Sequence, residues 1–366
     1  MRVLIYIGDA QWTGSSRALL AAARGLASRE HAVTLACCSG SRLGREAREA
    51  GVETVAIDGT SSTAGGAWDL RRVIKEKFIE VVLVGSERDQ LVVSSARLFA
   101  DRGAVLRRVH SFESLELLRT GRLALRMAAS GVIVSTEVEK QTVNTAGWTI
   151  PAAVAPLGVD ASTFDAIEPA SPKELKAPRD RTLIACSYDE SARYRIATIF
   201  RTLALLGPRH TSLHVVVFGP GSLDEGLRLH ASALGVGSLV SFIGETDDNR
   251  RVMRAASAGW IVSGGDNAVF ACLDFMALRV PVLAERSPLT QHYLADHITG
   301  KLLTSGDPAY TASSVAAFLG SQETLTAMGN AGRARVQREF SETMMVDGFE
   351  QAVNAAGDRT KWTKRK

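Results

Sequence analysis

SGGDNAVFACLDFMALRVPVLA, residues 263–284, opens as a glycine-bearing loop, continues as an apolar helix beginning near Asn267 and ends as an apolar strand. A strand with almost no polar residues is buried on both faces. Loop, helix and strand together therefore read as one step of a parallel α/β sheet. Two acids interrupt the apolar run, Asp266 at the loop–helix junction and Asp274 eight positions on. On a continuous helix they differ by roughly 80°, at about 100° per residue. An aspartate where Asp266 stands is a common helix cap. Asp274 lies between Leu273 and Phe275, and an acid inside an apolar helix needs a partner.

The same alternation extends outward along the whole chain. In the first half the strand-like runs are RVLIYI, AVTLACC, VETVAI, VVLVG, AVLRRVH, GVIVS and AAVAPLG, separated by helical patterns such as SSRALLAAARGLASR and LVVSSARLFADR. The pattern breaks after LGVDASTFD, and the polar, proline-bearing segment 166–181 reads as a linker. A second series follows: TLIACS, LHVVVFG, LVSFIG, AGWIVSG, VPVLA and TGKLL. The expectation is a doubly wound α/β domain over 1–165, a linker over 166–181 and a second such domain over 182–340. A C-terminal helix over 341–357, able to cross back to the first domain, and a basic tail over 358–366 complete the chain. Such sheets bind ligands at the carboxyl ends of their strands, so a cleft between two such edges is the expected site.

Bulk properties narrow the function. A chain of 366 residues fits about two domains. With 46% hydrophobic and 22% charged residues it has the composition of a soluble globular protein, and a net charge of +4 is too small to argue for nucleic acid. Cys37, Cys38, Cys186 and Cys272 have no metal-ligand spacing, and three lie in apolar runs, so buried free thiols in a reducing compartment are expected. MRVLIYIG carries five consecutive apolar residues, too few for a secretory leader, and nothing approaches the roughly 18–20 of a spanning helix. A cytoplasmic protein is expected. The loop GDAQWTGSS after the first strand lacks the G-x-G-x-x-G spacing of a dinucleotide site. GTSSTAGG (59–66) reads as a loop, and no Walker A, H-E-x-x-H or G-x-S-x-G motif is present.

Several segments together resemble the GT-B glycosyltransferases, specifically the retaining glycosyltransferase family 4. QWTGSSRALLAAARGLASREHAVTLA resembles that family's glycine loop, first helix and G-H-x-V turn, with His31 at the histidine. VSTEVEKQTV is similar to the segment after a late N-domain strand. VAPLGVDASTF is close to I-P-N-G-V-D-x-x-x-F, VVVFGPG to V-G-x-G-P, DFMALRVPVLA to E-A-M-A-x-G-x-P-V-I-A and ITGKLL to x-T-G-L-L. The resemblance implies two Rossmann-like doubly wound domains facing a cleft. It also implies anomer-retaining transfer of a sugar from a nucleotide-sugar donor, with no metal and no cofactor.

On that resemblance Asp266 and Asp274 fall on the family's Glu-x7-Glu pair. The first acid meets the donor sugar's hydroxyls and the second the ribose, and carboxylates suit paired hydroxyl donors. Gly264 and Gly265 let backbone N–H groups approach a ligand, and the helix N-terminus at Asn267 favours a diphosphate. Gly219 and Gly221 form the turn that flanks it. Departures are evident. Both acids are Asp, one methylene short. Ser187 replaces the family's arginine, and its lysine position falls on Ala192, or on Arg193 in a longer turn, with Arg193 or Arg195 able to restore the charge. His292, in PLTQH, stands where the family has an acid. In the N-domain the paired glycines become Thr13 and Gly14.

His110 ends a strand where the family carries a histidine near the donor sugar, so a catalytic contact is expected there; the plainer reading is a histidine capping a strand end. His31 precedes a strand and reads as structural. Arg119, Arg122 and Arg126 share one helical face, beside Leu115, Leu118 and Leu125. That face and the tail DRTKWTKRK fit peripheral contact with an anionic membrane surface, or simply a solvated face and a solubilising tail. The acceptor implied is a carbohydrate, a lipid-linked or a small molecule. Two other readings keep the fold: a degenerate homologue acting as a binding or assembly subunit, and a sugar-nucleotide epimerase.

Overall fold

A computed structural model of the chain describes residues 1–57, 63–100, 103–109, 129–145, 150–207, 212–304 and 307–363. These divide into two compact units, Met1–Leu157 with Glu342–Lys366, and Gly158–Ser341.

In the first unit the strands are β1 (Arg2–Ile7), β2 (Ala32–Cys37), β3 (Glu53–Ala56), β4 (Val81–Val84), β5 (Ala104–Arg108), β6 (Gly131–Val134) and β7 (Ala152–Val154). They form one parallel sheet in the order β3-β2-β1-β4-β5-β6-β7. The helices described are α1 (Gly14–Ser28), α2 (Arg42–Glu49), α3 (Thr63–Glu76), α4 (Glu87–Ala100) and α5 (Glu137–Thr145). The expected loop at 59–66 thus gives way to α3 from Thr63. Leu4, Tyr6, Val82, Val84 and Val105 cover one face and pack under α3 and α4.

The second unit holds β8 (Thr182–Ser187), β9 (Leu213–Phe218), β10 (Val240–Gly244), β11 (Ala258–Ile261), β12 (Val282–Glu285) and β13 (Gly300–Leu303). They too are parallel, in the order β10-β9-β8-β11-β12-β13. Its helices are α6 (Ile196–Leu206), α7 (Glu225–Ala233), α8 (Asn249–Arg254), α9 (Gly265–Ala277), α10 (Pro288–Tyr293), α11 (Pro308–Phe318) and α12 (Gln322–Glu339). Each apolar run expected to be a strand is one. The central runs are buried along nearly their whole length, as covering both faces of a parallel sheet requires.

Two expected boundaries move. The first unit ends at Leu157 rather than at 165, because Val159 pairs with Ser341 inside the second unit. The segment 166–181 is no free linker. Leu175 is buried, the Ala170 N–H donates to the Arg251 carbonyl (2.9 Å) and Glu174 pairs with Arg251 (2.8 Å). Polar composition hid these anchors. The C-terminal helix, α13 (Glu342–Thr363), runs past 357 into the stretch read as a tail. It packs on α1 and on β4 to β7. At Gly348 it comes so near the sheet that a Cβ would lie 2.6 Å from the Val154 carbonyl oxygen. Arg29 bridges Asp347 and Glu350, and His31 bonds Glu350 (2.9 Å), so His31 is structural as expected.

Two buried polar ties hold the second unit. Arg333 on α12 donates to the Ala277 carbonyl at the end of α9 and to both carboxylate oxygens of Asp165 (2.8 and 2.9 Å). His214 on β9 bonds the Ser241 hydroxyl (2.8 Å), which donates to the Lys176 carbonyl (2.6 Å). Replacing Arg333 by Ala leaves the buried Ala277 carbonyl unanswered and should destabilise the unit by about 2–3 kcal/mol in urea melts. Burial lowers the His214 pKa to about 4, with Arg181 adding to the effect. Its neutral form is the native one, so stability should be complete above about pH 6.5 and fall as the pH drops toward 4. The difference approaches roughly 3 kcal/mol. Against a His214→Gln reference, melting temperature followed over pH 4–8 should show this loss in the wild type alone.

Candidate active site

In both sheets the first strand is flanked by strands reached in opposite directions, which opens a crevice at the carboxyl ends. In the second unit three loops meet that edge: residues 188–195 after β8, Gly219–Gly221 after β9, and 262–264 before α9. The Tyr188 N–H donates to the Phe218 carbonyl (2.8 Å), and the Gly219 N–H to the Gly244 carbonyl (2.8 Å). Gly219 has φ +110°, and a Cβ there would lie 2.3 Å from the Tyr188 carbonyl oxygen, so no other residue fits. Gly221 is also left-handed, beside the Tyr188 ring.

Asp189 organises the turn after β8. One carboxylate oxygen accepts the Ser191 N–H (2.8 Å) and the Ser191 hydroxyl; the other accepts the Asn267 amide (2.8 Å) from the first turn of α9. The Ser191 hydroxyl oxygen in turn accepts the Gly264 N–H (3.1 Å). The turn and the helix start are thereby fastened together. Gly264 is the N-cap of α9 and brings no side chain to cap it. The positive end of this helix accordingly faces the crevice with only a glycine before it. Gly265 opens the helix with φ +56°.

Of the two arginines weighed for the diphosphate, Arg195 is the one that lies at the start of α9. A Cβ on Gly264 would lie 3.0 Å from Arg195 Nη1, so that guanidinium rests directly on the helix start. Arg193 and Arg195 are both exposed, and the Arg193 backbone N–H donates to the Glu190 carbonyl (3.2 Å). Ala192, one of the two positions where the family's lysine could fall, is completely buried; a charge there would be desolvated. Ser187 closes β8 opposite Phe218 and Ile261 and supplies no charge.

Asp266 lies in the first turn of α9 and Asp274 farther along the same helix, both buried. Eight residues at about 1.5 Å each separate them by about 12 Å along the axis. His292, aligned with an acid, packs edge-on against Tyr293 and Phe340, and burial lowers its pKa. In the first unit Gly14 begins α1 behind Thr13, whose hydroxyl caps the helix by accepting the Ser16 N–H (3.2 Å). His110 and the Arg119, Arg122 and Arg126 face lie outside the described residues. Among the described residues no group of three or more His, Cys, Asp or Glu is arranged for a metal ion, and no helix is long and apolar enough to cross a membrane. Asp189 and Ser191 were missed in the sequence; the D-x-S spacing of a side-chain turn was the available signal.

Two parallel doubly wound sheets with these edges define the architecture of the GT-B glycosyltransferases. Residues 168–335 match the family described as Glycosyl transferases group 1. Among curated relatives, the D-inositol 3-phosphate glycosyltransferase of Segniliparus rotundus is 29% identical over 140 residues, 38% of this chain and 31% of that protein. The match therefore spans under a third of the relative's length. The Anabaena HepE structure in complex with UDP and glucose superposes with a TM-score of 0.80 at 14% identity, over 97% of this chain and all of the other. Sucrose-phosphate synthase from Thermosynechococcus elongatus does so with 0.77 at 15% identity, over 97% and 99%. These likenesses fix the fold. Gly219→Ala should cost about 1–3 kcal/mol from backbone strain alone, with the clash on Tyr188 added, read as a lowered melting temperature.

Proposed function

We propose that the chain is a glycosyltransferase that takes a sugar from a nucleotide-sugar donor, with retention at the anomeric carbon and without a metal ion, and passes it to a carbohydrate hydroxyl. The observation that carries this reading is the meeting of Arg195 with the uncapped N-terminus of α9 at the carboxyl edge of the second sheet. Both attract an anion, and a guanidinium suits diphosphate oxygens in pairs. Asp266 in the first turn would accept hydroxyls of the donor sugar, and Asp274, about 12 Å along the helix, those of the ribose. The diphosphate then bridges them past Gly264 and Gly265, with Gly219 and Gly221 lining the other side. The matched family supports a glycosyl transfer, and the complexes of HepE with UDP, glucose and UDP-glucose support a uridine donor.

In this scheme the leaving diphosphate gains charge as the glycosidic bond breaks, and Arg195 and the helix end are aimed where that charge develops. Asp189 fastens the turn that leads to Arg195 onto the start of that helix. Melting against UDP, GDP, ADP, TDP and their sugar conjugates tests the scheme. A ligand at ~100 times its dissociation constant adds about 2.7 kcal/mol of stability. One nucleotide should shift the melting temperature selectively. Asp274→Ala should abolish that shift, and Arg195→Ala should weaken diphosphate binding roughly tenfold or more while leaving the ligand-free melt unchanged. Absence of any shift across the panel would refute the donor site.

A further inference from the structure

The first unit carries its own buried carboxylate at the crevice edge, and the scheme above does not use it. Asp89, in the first turn of α4, is 3% exposed. Its Oδ1 accepts the N–H of Gly8, the first residue after β1, at 3.1 Å. The Gly8 carbonyl accepts the Cys38 thiol, also at 3.1 Å. A Cβ on Gly8 would lie 2.7 Å from the Tyr6 hydroxyl and 2.8 Å from Asp89 Oδ1, so phenol and carboxylate both press on this glycine. The Asp89 N–H is itself spent on the Ser86 hydroxyl (3.0 Å), which fixes the acid at the head of α4.

Gly8 is the root of the loop that runs to Thr13 and the start of α1. Its far end is held by the Thr13 cap, and its middle by Trp12, whose ring lies under the Arg42 guanidinium at 4.7 Å. We propose that Asp89 is a proton-responsive positioning residue: its ionised carboxylate, through the charge-assisted bond to Gly8, fixes the loop between β1 and α1, and protonation loosens it. A carboxylate accepts an N–H more strongly than a neutral carboxyl does. The groups that act on Asp89 are the Ser86 side chain, which bonds it, Asp9 in the loop, Arg88 on α4, Tyr6 on β1 and Arg107 on β5; farther out, Cys38 bonds Gly8 and Glu87 acts on Arg107. Burial, the largest influence, pushes the Asp89 carboxyl up to about 6, and it drives the Tyr6 phenol far upward as well. Arg107 keeps its proton throughout. Any consequence for turnover rests on the transferase reading.

Hydrogen–deuterium exchange of the peptide covering residues 8–13, corrected for intrinsic rates, tests the clamp on the ligand-free protein between pH 5 and 8. Wild-type protection should fall roughly tenfold toward low pH with a midpoint near 6, the scale expected when one charge-assisted bond weakens. Asp89→Asn, isosteric and non-titrating, should show the weaker protection at every pH. Cys38→Ser should keep the midpoint. A wild type without an inflection, or an Asp89→Asn protein that retains it, overturns the proposal. In turnover assays the donor KM should follow the same midpoint in the wild type and lose it in Asp89→Asn. A flat wild-type KM alongside an intact exchange midpoint overturns the loop's part in transfer. Failure to transfer any sugar counts against the transferase reading, while the exchange result still decides the clamp.

Discussion

The pairing of the first strand of each sheet with neighbours on both sides is the constraint from which the rest follows. β1 lies between β2 and β4, and β8 between β9 and β11. Parallel strands need crossovers of one hand, so the chain must wind one way to reach the first neighbour and return to the other side for the second. The helices after the two central strands therefore leave on opposite faces, and a crevice opens between their loops. Arg195, Gly264 and Asp266 stand at that edge in the second unit, as Gly8 and Asp89 do in the first. None of them is placed by a local motif; each is placed by the winding.

The two units solve the same mechanical problem with the same type of bond. In each, a carboxylate joins the loop after the first strand to the start of the helix after the fourth. In the second unit the acid, Asp189, sits on the loop and the donor, Asn267, on the helix. In the first the acid, Asp89, sits on the helix and the donor, the Gly8 N–H, on the loop. The environments differ. Asp189 is answered by three donors, whereas Asp89 is buried beside a phenol and answered by the Ser86 side chain and the Gly8 N–H, with burial opposing its charge.

The strands were legible because strands buried on both faces leave little room for polar side chains, and a run such as VVLV shows it directly; LHVVVF keeps one, His214, which is bonded to Ser241. The segment 166–181 was misread for the converse reason. One buried leucine, Leu175, and a few backbone bonds suffice to fasten a polar stretch, and neither changes its composition. At the candidate site the acids and glycines of α9 could be read, since glycines and buried charges stand out against an apolar helix. The cation could not be settled between Arg193 and Arg195. That choice depends on a single turn of 3-10 helix at Glu190–Ala192, which rotates the following residues and has no sequence period of its own.

The last helix belongs to the first unit, although 184 residues of the second unit, Gly158–Ser341, come between. Gly348 against Val154 and the Arg29 and His31 bonds to Glu350 are contacts that residues 1–157 cannot make alone. A ribosome delivers the chain in order and domains fold as units. The second unit, though later in the sequence, is thus the first able to finish, and the first unit waits half-built, with the floor of its sheet uncovered, until residues beyond 342 have emerged.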